Sequence, residues 1–142
     1  EIFDGEHLGS SLARACTGGE RILIPRAETA NQELILELQK VPDVQIDDVP
    51  TYRTLYESSE LIDQKAEFEQ GKIDFAVFTS ASTVRGFAQA AKGLDFSLVR
   101  AVCIGKQTKQ AADELGMQSW MSEKATMDSV LDKVKELCRK QL

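Results

Sequence analysis

The feature that most constrains the fold is a regular alternation of short apolar segments with longer amphipathic ones. The clearest apolar segments span residues 74–79, 100–104 and 118–121, and a helical pattern follows each of them. Residues 74–79 (DFAVFT) form one nearly continuous apolar run, which is typical of a strand covered on both faces. Strands that alternate with helices of about ten residues predict an α/β fold, in which a parallel sheet carries helices on both faces.

The remaining elements extend the same pattern over the whole chain. A strand is predicted over 21–25 and an edge or connecting strand over 44–56, because Pro50 interrupts the hydrogen-bonding ladder there. The Gly18-Gly19 pair suits a left-handed cap for the first helix. The predicted helices span residues 1–19, 28–41, 59–70, 82–91, 107–115 and 128–142. The residues of the last helix predicted to face inward are Val130, Leu131, Val134, Leu137 and Cys138.

Composition excludes several classes of protein. The chain has 142 residues, 42% of them hydrophobic, which is enough for one ordinary core. No apolar run approaches the roughly 20 residues that span a bilayer, and no secretory signal is present, so we expect a cytoplasmic protein without membrane contact. A net charge of −6 argues against nucleic-acid binding, which requires clustered Lys and Arg. Because the chain begins at Glu1 instead of Met, we interpret it as a segment of a longer protein.

The residues that serve most cofactor and nucleophile chemistry are scarce. Cys16, Cys103 and Cys138 are far apart and never form a C-x-x-C pair, so each is expected to be a reduced, partly buried thiol. His7 is the only histidine and has no acid–base partner nearby in sequence, so we expect a surface residue and no Ser-His or Cys-His catalysis. Glycine-rich nucleotide loops are absent. We therefore predict no metal and no organic cofactor.

Polar residues follow the predicted strands, where ligands of open parallel sheets bind. These segments are 25–26, 79–82, 105–108 and 123–126; three of them place a hydroxyl beside a helix start and two add a cation. Helix N–H groups and hydroxyls together suit an anion such as a carboxylate or phosphate. In a simpler interpretation, Ser82, Thr108 and Thr126 only cap their helices, each contributing about 1 kcal/mol. The two interpretations are compatible.

Five segments of the chain, taken in order, carry a family resemblance. They read ILIPRAE, VPTYRT, DFAVFTSASTVRGF, VRAVCIGKQTKQAADELG and SEKATMDSVLDKV. Their order and spacing are similar to the second half of uroporphyrinogen-III synthases, over nearly the whole chain. The most specific of them are the strand end at Thr79-Ser80 and the I-G-x-x-T stretch that ends at Thr108.

The resemblance implies a fold and an activity. The family fold has two α/β domains of flavodoxin-like strand order, which are joined by a two-stranded antiparallel ladder and enclose the substrate in a cleft. By position, residues 1–56 match the end of one domain with its returning ladder strand, and 57–142 match most of the other. Members are hydro-lyases that close hydroxymethylbilane into uroporphyrinogen III for heme, siroheme and cobalamin synthesis, inverting ring D through a proposed spiro intermediate without a cofactor. Because the family's N-terminal half is missing here, we expect the isolated half to be inactive.

The resemblance also implies site residues. Tyr52 matches a tyrosine that lines the cleft and assists departure of the substrate hydroxyl, and is the catalytic candidate; alternatively, it only packs. Gly105 and Thr108 match a stretch that contacts a propionate or acetate, whereas Thr126 is expected to be structural. The candidate substrate-binding residues are Arg26, Thr79, Ser80, Ala81, Gly105 and Thr108.

Two questions stay open at this point. The alternative function is a non-catalytic anion-binding module of flavodoxin-like topology; a phosphorylated receiver would need an acidic residue where the chain has Thr79-Ser80. The alternative assemblies are one five-stranded domain or a homodimer in which two copies exchange halves through the extended segment 44–56. The second is favoured, because no tight-turn signal follows Tyr52.

Overall fold

The computed structural model describes residues 4–57 and 61–140 of the chain. The chain divides into two compact units, Glu1–Leu55 and Tyr56–Leu142. Every strand pairing is parallel and the strands connect through helices, so the predicted α/β class is confirmed. Over these described ranges, the strands form separate sheets of two and three strands rather than one sheet of five.

Within residues 4–55, the first unit contains two helices and two strands. These are α1 (Gly5–Ala15), β1 (Arg21–Ala27), α2 (Glu33–Leu38) and β2 (Gln45–Tyr52). α2 is much shorter than the predicted helix over 28–41. The reason is a loop held open by Arg26, whose guanidinium donates to the carbonyls of Ala30 (3.0 Å) and Asn31 (2.6 Å).

The small sheet of this unit is covered on one face. β1 and β2 run parallel from the pair Arg21 and Gln45 onwards, and Ile24 packs against Ile35 and Leu38 of α2. Leu23, which points to the opposite face, is 62% exposed. β2 pairs with β1 alone among the described residues, as expected for an edge strand.

The turn between α1 and β1 is closed by a carboxylate instead of a helix cap. The Glu20 carboxylate accepts hydrogen bonds from the Thr17 amide (2.7 Å), the Thr17 hydroxyl (2.8 Å) and the Gly18 amide (2.9 Å). These bonds, led by that of the Thr17 amide, lower the pKa of Glu20 to about 2. Gly18 and Gly19 are left-handed as predicted, with φ of 102° and 86°, but α1 ends earlier, with Cys16 as an extended C-cap.

The second unit is a three-stranded sheet with strand order β3-β4-β5. Its elements are α3 (Gln64–Glu69), β3 (Ala76–Phe78), α4 (Ala81–Ala90), a 3₁₀ turn (Phe96–Leu98), β4 (Arg100–Cys103), α5 (Lys106–Glu114), β5 (Gln118–Met121) and α6 (Met127–Arg139). Within the described residues, every strand of this sheet is followed by a helix. This is the arrangement that the sequence pattern predicts.

The central strand β4 is buried on both faces. Ala101 and Cys103 share one hydrophobic cluster with residues of α4 and α5, and Val102 packs with Val130 and Leu137 of α6 on the other face. The side chains of Ala101, Val102 and Cys103 have no exposed surface. Helices therefore cover both faces of the sheet, as predicted.

The inward face of α6 is narrower than predicted. Val130 and Leu137 are buried, whereas Leu131 is 49% exposed and Cys138 is also exposed. Successive helical residues are separated by about 100°, so the position after each buried residue turns away from the sheet. The prediction that Leu131 and Cys138 face inward is wrong.

Candidate functional site

The carboxyl ends of β3, β4 and β5 lie along one edge of the second sheet. Phe78 pairs with Cys103, and Cys103 with Met121, at the ends of the strands. Beyond them, the Ile104 amide donates to the Phe78 carbonyl (3.0 Å) and the Ser122 amide donates to the Cys103 carbonyl (2.9 Å). This edge carries five of the predicted site residues: Thr79, Ser80, Ala81, Gly105 and Thr108.

The loop after β3 is held by a reciprocal cap at the start of α4. The Ser80 hydroxyl accepts from the Thr83 amide (3.2 Å), and the Thr83 hydroxyl accepts from the Ser80 amide (3.3 Å). The Ser82 hydroxyl lies 2.9 Å from that of Ser80, inside the helix, so the prediction that Ser82 is the cap is wrong. Thr79 is exposed before the cap, and the Ala81 amide belongs to the first turn, whose N–H groups lack helical partners.

The loop after β4 leads into α5 without a side-chain cap. Gly105 is the N-cap residue and has no side chain that could accept from the first-turn amides. No described atom outside the neighbouring residues lies within 4 Å of the position that a Cβ of Gly105 would take. Thr108 lies inside the helix and is only 4% exposed, so the prediction that it caps α5 is wrong. An anion that reaches this edge can take the place of the missing cap.

The loop after β5 is capped by Thr126, as predicted. Its hydroxyl accepts from the Ser129 amide (3.3 Å). Sequence reasoning missed Ser122, which is 2% exposed and directs its hydroxyl at the carbonyls of Ile104 (3.1 Å) and Lys124 (2.8 Å). Ser122 thereby ties the end of β5 to the end of β4. The sequence feature that could have indicated this role is the position of Ser122, a hydroxyl residue directly after a predicted strand.

Charge is distributed unevenly along this edge. Residues 79–82 and 105–108 include no acidic side chain, and Lys106 is their one charged residue. The third loop borders a groove of about 480 Å³ that is rich in carboxylates. The groove is lined by Glu123, Lys124, Thr126, Asp128, Ser129, Asp132, Lys133 and Glu136. An anionic ligand is therefore favoured at the first two loops over the third.

Cys103 and His7 are the candidate nucleophiles of the two units, and both are poorly placed for attack. Cys103 lies at the end of β4, and burial raises the pKa of its thiol to about 11, so it is neutral at ordinary pH. His7 is exposed on α1, with Nδ1 2.7 Å from the carboxylate of Asp4. The expectation that His7 has no acidic partner nearby is therefore wrong.

Two predicted site residues belong to the first unit. The Arg26 guanidinium binds both carboxylate oxygens of Asp48, at 2.5 and 2.6 Å, and this hydrogen bonding lowers the pKa of Asp48. The Arg26 side chain is only 14% exposed, since it also holds the loop after β1. Tyr52 ends β2, accepts the Glu28 amide on its carbonyl (2.9 Å) and leaves 63% of its surface exposed.

Residues 4–57 and 61–140 contain neither a candidate metal cluster nor a candidate membrane span. That part of the chain holds no group of three or more His, Cys, Asp or Glu side chains placed to bind a metal ion. It also holds no helix that is long and apolar enough to cross a membrane.

These features define a parallel α/β protein with a candidate anion site at the carboxyl edge of its second sheet. A sequence model described as uroporphyrinogen-III synthase HemD matches residues 1–132. The chain therefore belongs to the uroporphyrinogen-III synthase family.

Two curated relatives show how much of such a protein the chain represents. It is 34% identical over 137 residues to the porphyrin biosynthesis protein HemD of Ruminiclostridium josui, covering 96% of this chain and 27% of that protein. It is 30% identical over 129 residues to the uroporphyrinogen-III synthase of Synechococcus elongatus, covering 85% of this chain and 49% of that protein. The chain thus spans about a quarter of one relative and half of the other.

Solved structures share the fold. The uroporphyrinogen-III synthetase of Helicobacter pylori 26695 aligns with a TM-score of 0.62 and 21% identity, over 96% of this chain and 60% of that chain. A mutant uroporphyrinogen III synthase of the extremely thermophilic bacterium Thermus thermophilus aligns with a TM-score of 0.58 and 20% identity, over 93% and 55%. With sequence identities of 20% and 21%, the structural similarity establishes the fold of this chain alone.

The capping geometry of α4 predicts a difference between two neighbouring serines. Ser80→Ala removes the acceptor of the Thr83 amide and is expected to lower the free energy of unfolding by about 1 kcal/mol. Ser82→Ala removes no cap, and its effect is expected to stay within about 0.5 kcal/mol. Urea unfolding followed by circular dichroism measures both. Equal losses in the two variants would contradict the assigned cap.

Proposed function

We propose that the chain is part of a uroporphyrinogen-III synthase and that it supplies carboxylate-binding groups for the linear tetrapyrrole hydroxymethylbilane. The observation that carries this proposal is the uncapped start of α5 at Gly105, beside the capped loop at Ser80, in a chain of this family. The reaction closes the tetrapyrrole ring with inversion of ring D and loss of water. The proposed setting is cytoplasmic tetrapyrrole biosynthesis.

The substrate's chemistry matches these loops. Hydroxymethylbilane carries eight carboxylates, and first-turn N–H groups of α4 and α5 are donors for such groups. A hydrogen bond to a charged group contributes about 2 kcal/mol, so several of them can hold a flexible chain in one folded shape. Holding the two chain ends close together lowers the entropic barrier to ring closure. We therefore assign Thr79, Ser80, Ala81, Gly105 and Thr108 to substrate positioning.

The two candidates of the first unit receive different roles. Tyr52 is proposed to donate its phenolic proton to the departing hydroxyl, because its side chain is exposed at the end of β2. Arg26 is kept as a proposed substrate-binding residue, although its guanidinium is already paired with Asp48 and also shapes the loop after β1.

The rest of the protein is proposed to complete the cleft, since the chain spans only part of its relatives. To test the function, the chain is mixed with a polypeptide that carries the remainder of its parent protein, and the cyclisation of hydroxymethylbilane is assayed. The expected product is uroporphyrinogen III, whereas either part alone yields only the spontaneous type I ring. Type I product from the mixture would count against the proposal.

A matched pair of variants links this activity to α5. Gly105→Asp places a carboxylate in the open space at the helix start and is expected to lower turnover at least tenfold by repelling the substrate. Gly105→Ser caps the same helix without charge and is expected to retain more activity. Both residues favour the N-cap position, so neither should destabilise the protein. Equal activity in the two variants would show that no anionic group of the substrate binds at this position.

The role of Tyr52 is tested in the same reconstituted protein. Tyr52→Phe removes only the hydroxyl and is expected to lower turnover about tenfold, which corresponds to about 1.4 kcal/mol of barrier. Thermal unfolding serves as the control and should change little, because the ring is exposed. Unchanged turnover would leave Tyr52 a packing residue.

In isolation, two copies of the chain are proposed to exchange halves. Apolar side chains are exposed in both sheets, for instance Leu23 at 62% and Val77 at 42%, and a second copy can cover them. Sedimentation at micromolar concentration is expected to give a dimer. A compact monomer of 15.7 kDa would refute the exchange.

If the site instead belongs to a non-catalytic anion-binding module, the reconstituted protein will bind phosphate as tightly as a tetrapyrrole. Calorimetry with inorganic phosphate and with uroporphyrin separates the two functions. Preference for the tetrapyrrole is the expected result.

A further inference from the structure

We propose that Tyr56 is a positioning residue for Tyr52, and that its ring is held against Gly86 of α4. This inference rests on the proposed function, in which Tyr52 is the proton donor, and adds two residues to it. Tyr56 lies four positions after Tyr52 and is the first residue of the second unit. Within residues 51–57 it alone is partly buried, whereas the others are exposed. Its contact with Gly86 lies inside a single unit.

Gly86 occupies a position where helix propensity alone would not place a glycine. It lies in the interior of α4, and glycine destabilises a helix interior relative to alanine. A Cβ on Gly86 would lie 2.9 Å from Cδ1 of Tyr56 and 3.5 Å from its Cε1. Non-bonded carbon atoms prefer a separation of about 3.5–4.0 Å, so any larger residue would push the ring away. The close approach of Tyr56 therefore accounts for the glycine.

The helix that Tyr56 contacts is packed against the core of its unit. Val84, two positions before Gly86, has no exposed surface. The ring centroid of Phe87 lies 5.5 Å from that of Phe78 in β3. The same helix starts at the capped Ser80, at the candidate anion site. Tyr56 is thus held by an element that also carries part of the proposed substrate-binding edge.

Chain length couples Tyr56 to the catalytic candidate. Only Arg53, Thr54 and Leu55 lie between the two tyrosines, and all three are exposed and outside any helix or strand. Four residues of extended chain span at most about 14 Å, so a held Tyr56 limits the volume that the Tyr52 side chain can reach. Loss of the contact would enlarge this volume. The Tyr52 hydroxyl would then meet the departing hydroxyl of the substrate less often in the productive geometry.

Cyclisation kinetics of the reconstituted protein test this role. Tyr56→Ala removes the ring and is expected to lower kcat about fivefold while changing KM less than twofold, because only a transition-state contact is lost. Tyr56→Phe keeps the ring and is the matched control, which should retain at least half of the turnover. Gly86→Ala favours the helix but displaces the ring, so it should lower kcat as Tyr56→Ala does. Unchanged kcat in Tyr56→Ala, or an equal loss in Tyr56→Phe, would overturn the proposal.

A double-mutant cycle shows whether Tyr56 acts through Tyr52. In protein that already carries Tyr52→Phe, Tyr56→Ala is expected to lower kcat less than twofold, because the hydroxyl that the ring positions is gone. A merely structural role would give the full fivefold loss in both backgrounds, which would contradict positioning. Unchanged turnover in Tyr52→Phe alone would overturn the role of Tyr52 and, with it, that of Tyr56.

NMR measures the contact itself, independently of activity. With the chain labelled with ¹³C in the reconstituted protein, nuclear Overhauser cross-peaks are expected between the α-protons of Gly86 and the ring protons of Tyr56. Their absence, in a mixture that forms uroporphyrinogen III, would overturn this inference and leave the proposed function standing. Cross-peaks in a mixture that forms only the type I ring would overturn the proposed function and the positioning role together.

Discussion

The burial of β4 on both faces is the constraint on which the second unit depends. Ala101, Val102 and Cys103 have no exposed surface, so helices must cover the sheet above and below. Parallel neighbours of such a strand can be reached only by crossover connections, and here these are the helices α4 and α5. Each crossover returns the chain to the same starting edge. As a result, all three strands end together, and the loops that follow them form one continuous polar edge.

The three loops at this edge differ in how their helix starts are capped. Ser80 and Thr126 satisfy first-turn amides of their helices, and each such cap contributes about 1 kcal/mol. At the start of α5 no side chain makes such a cap, because its N-cap is Gly105. The Ser122 hydroxyl donates to the Ile104 carbonyl and so links the neighbouring loop to the loop before α5.

Polar contacts hold the first unit together, whereas buried apolar side chains hold the second unit together. Its two-stranded sheet has few buried side chains, and Arg26 with Asp48 closes one end of β1, while Glu20 closes the turn before the other end. These contacts explain why Arg26, which sequence reasoning assigned to the substrate, has its charge already compensated. Its direct contact with a substrate stays a prediction.

The sequence by itself determined the α/β class, the three strands of the second unit and the family, because apolar periodicity and ordered motifs are local properties of the chain. It also placed Thr79, Ser80 and Gly105 at strand ends. Tertiary structure alone decided which hydroxyl caps which helix, that Arg26 is paired with Asp48, and that Leu131 and Cys138 face outward. The physical reason is that a helix cap, an ion pair and the buried face of a helix each depend on contacts made in the folded chain. The spacing of hydrophobic residues along the sequence does not specify those contacts.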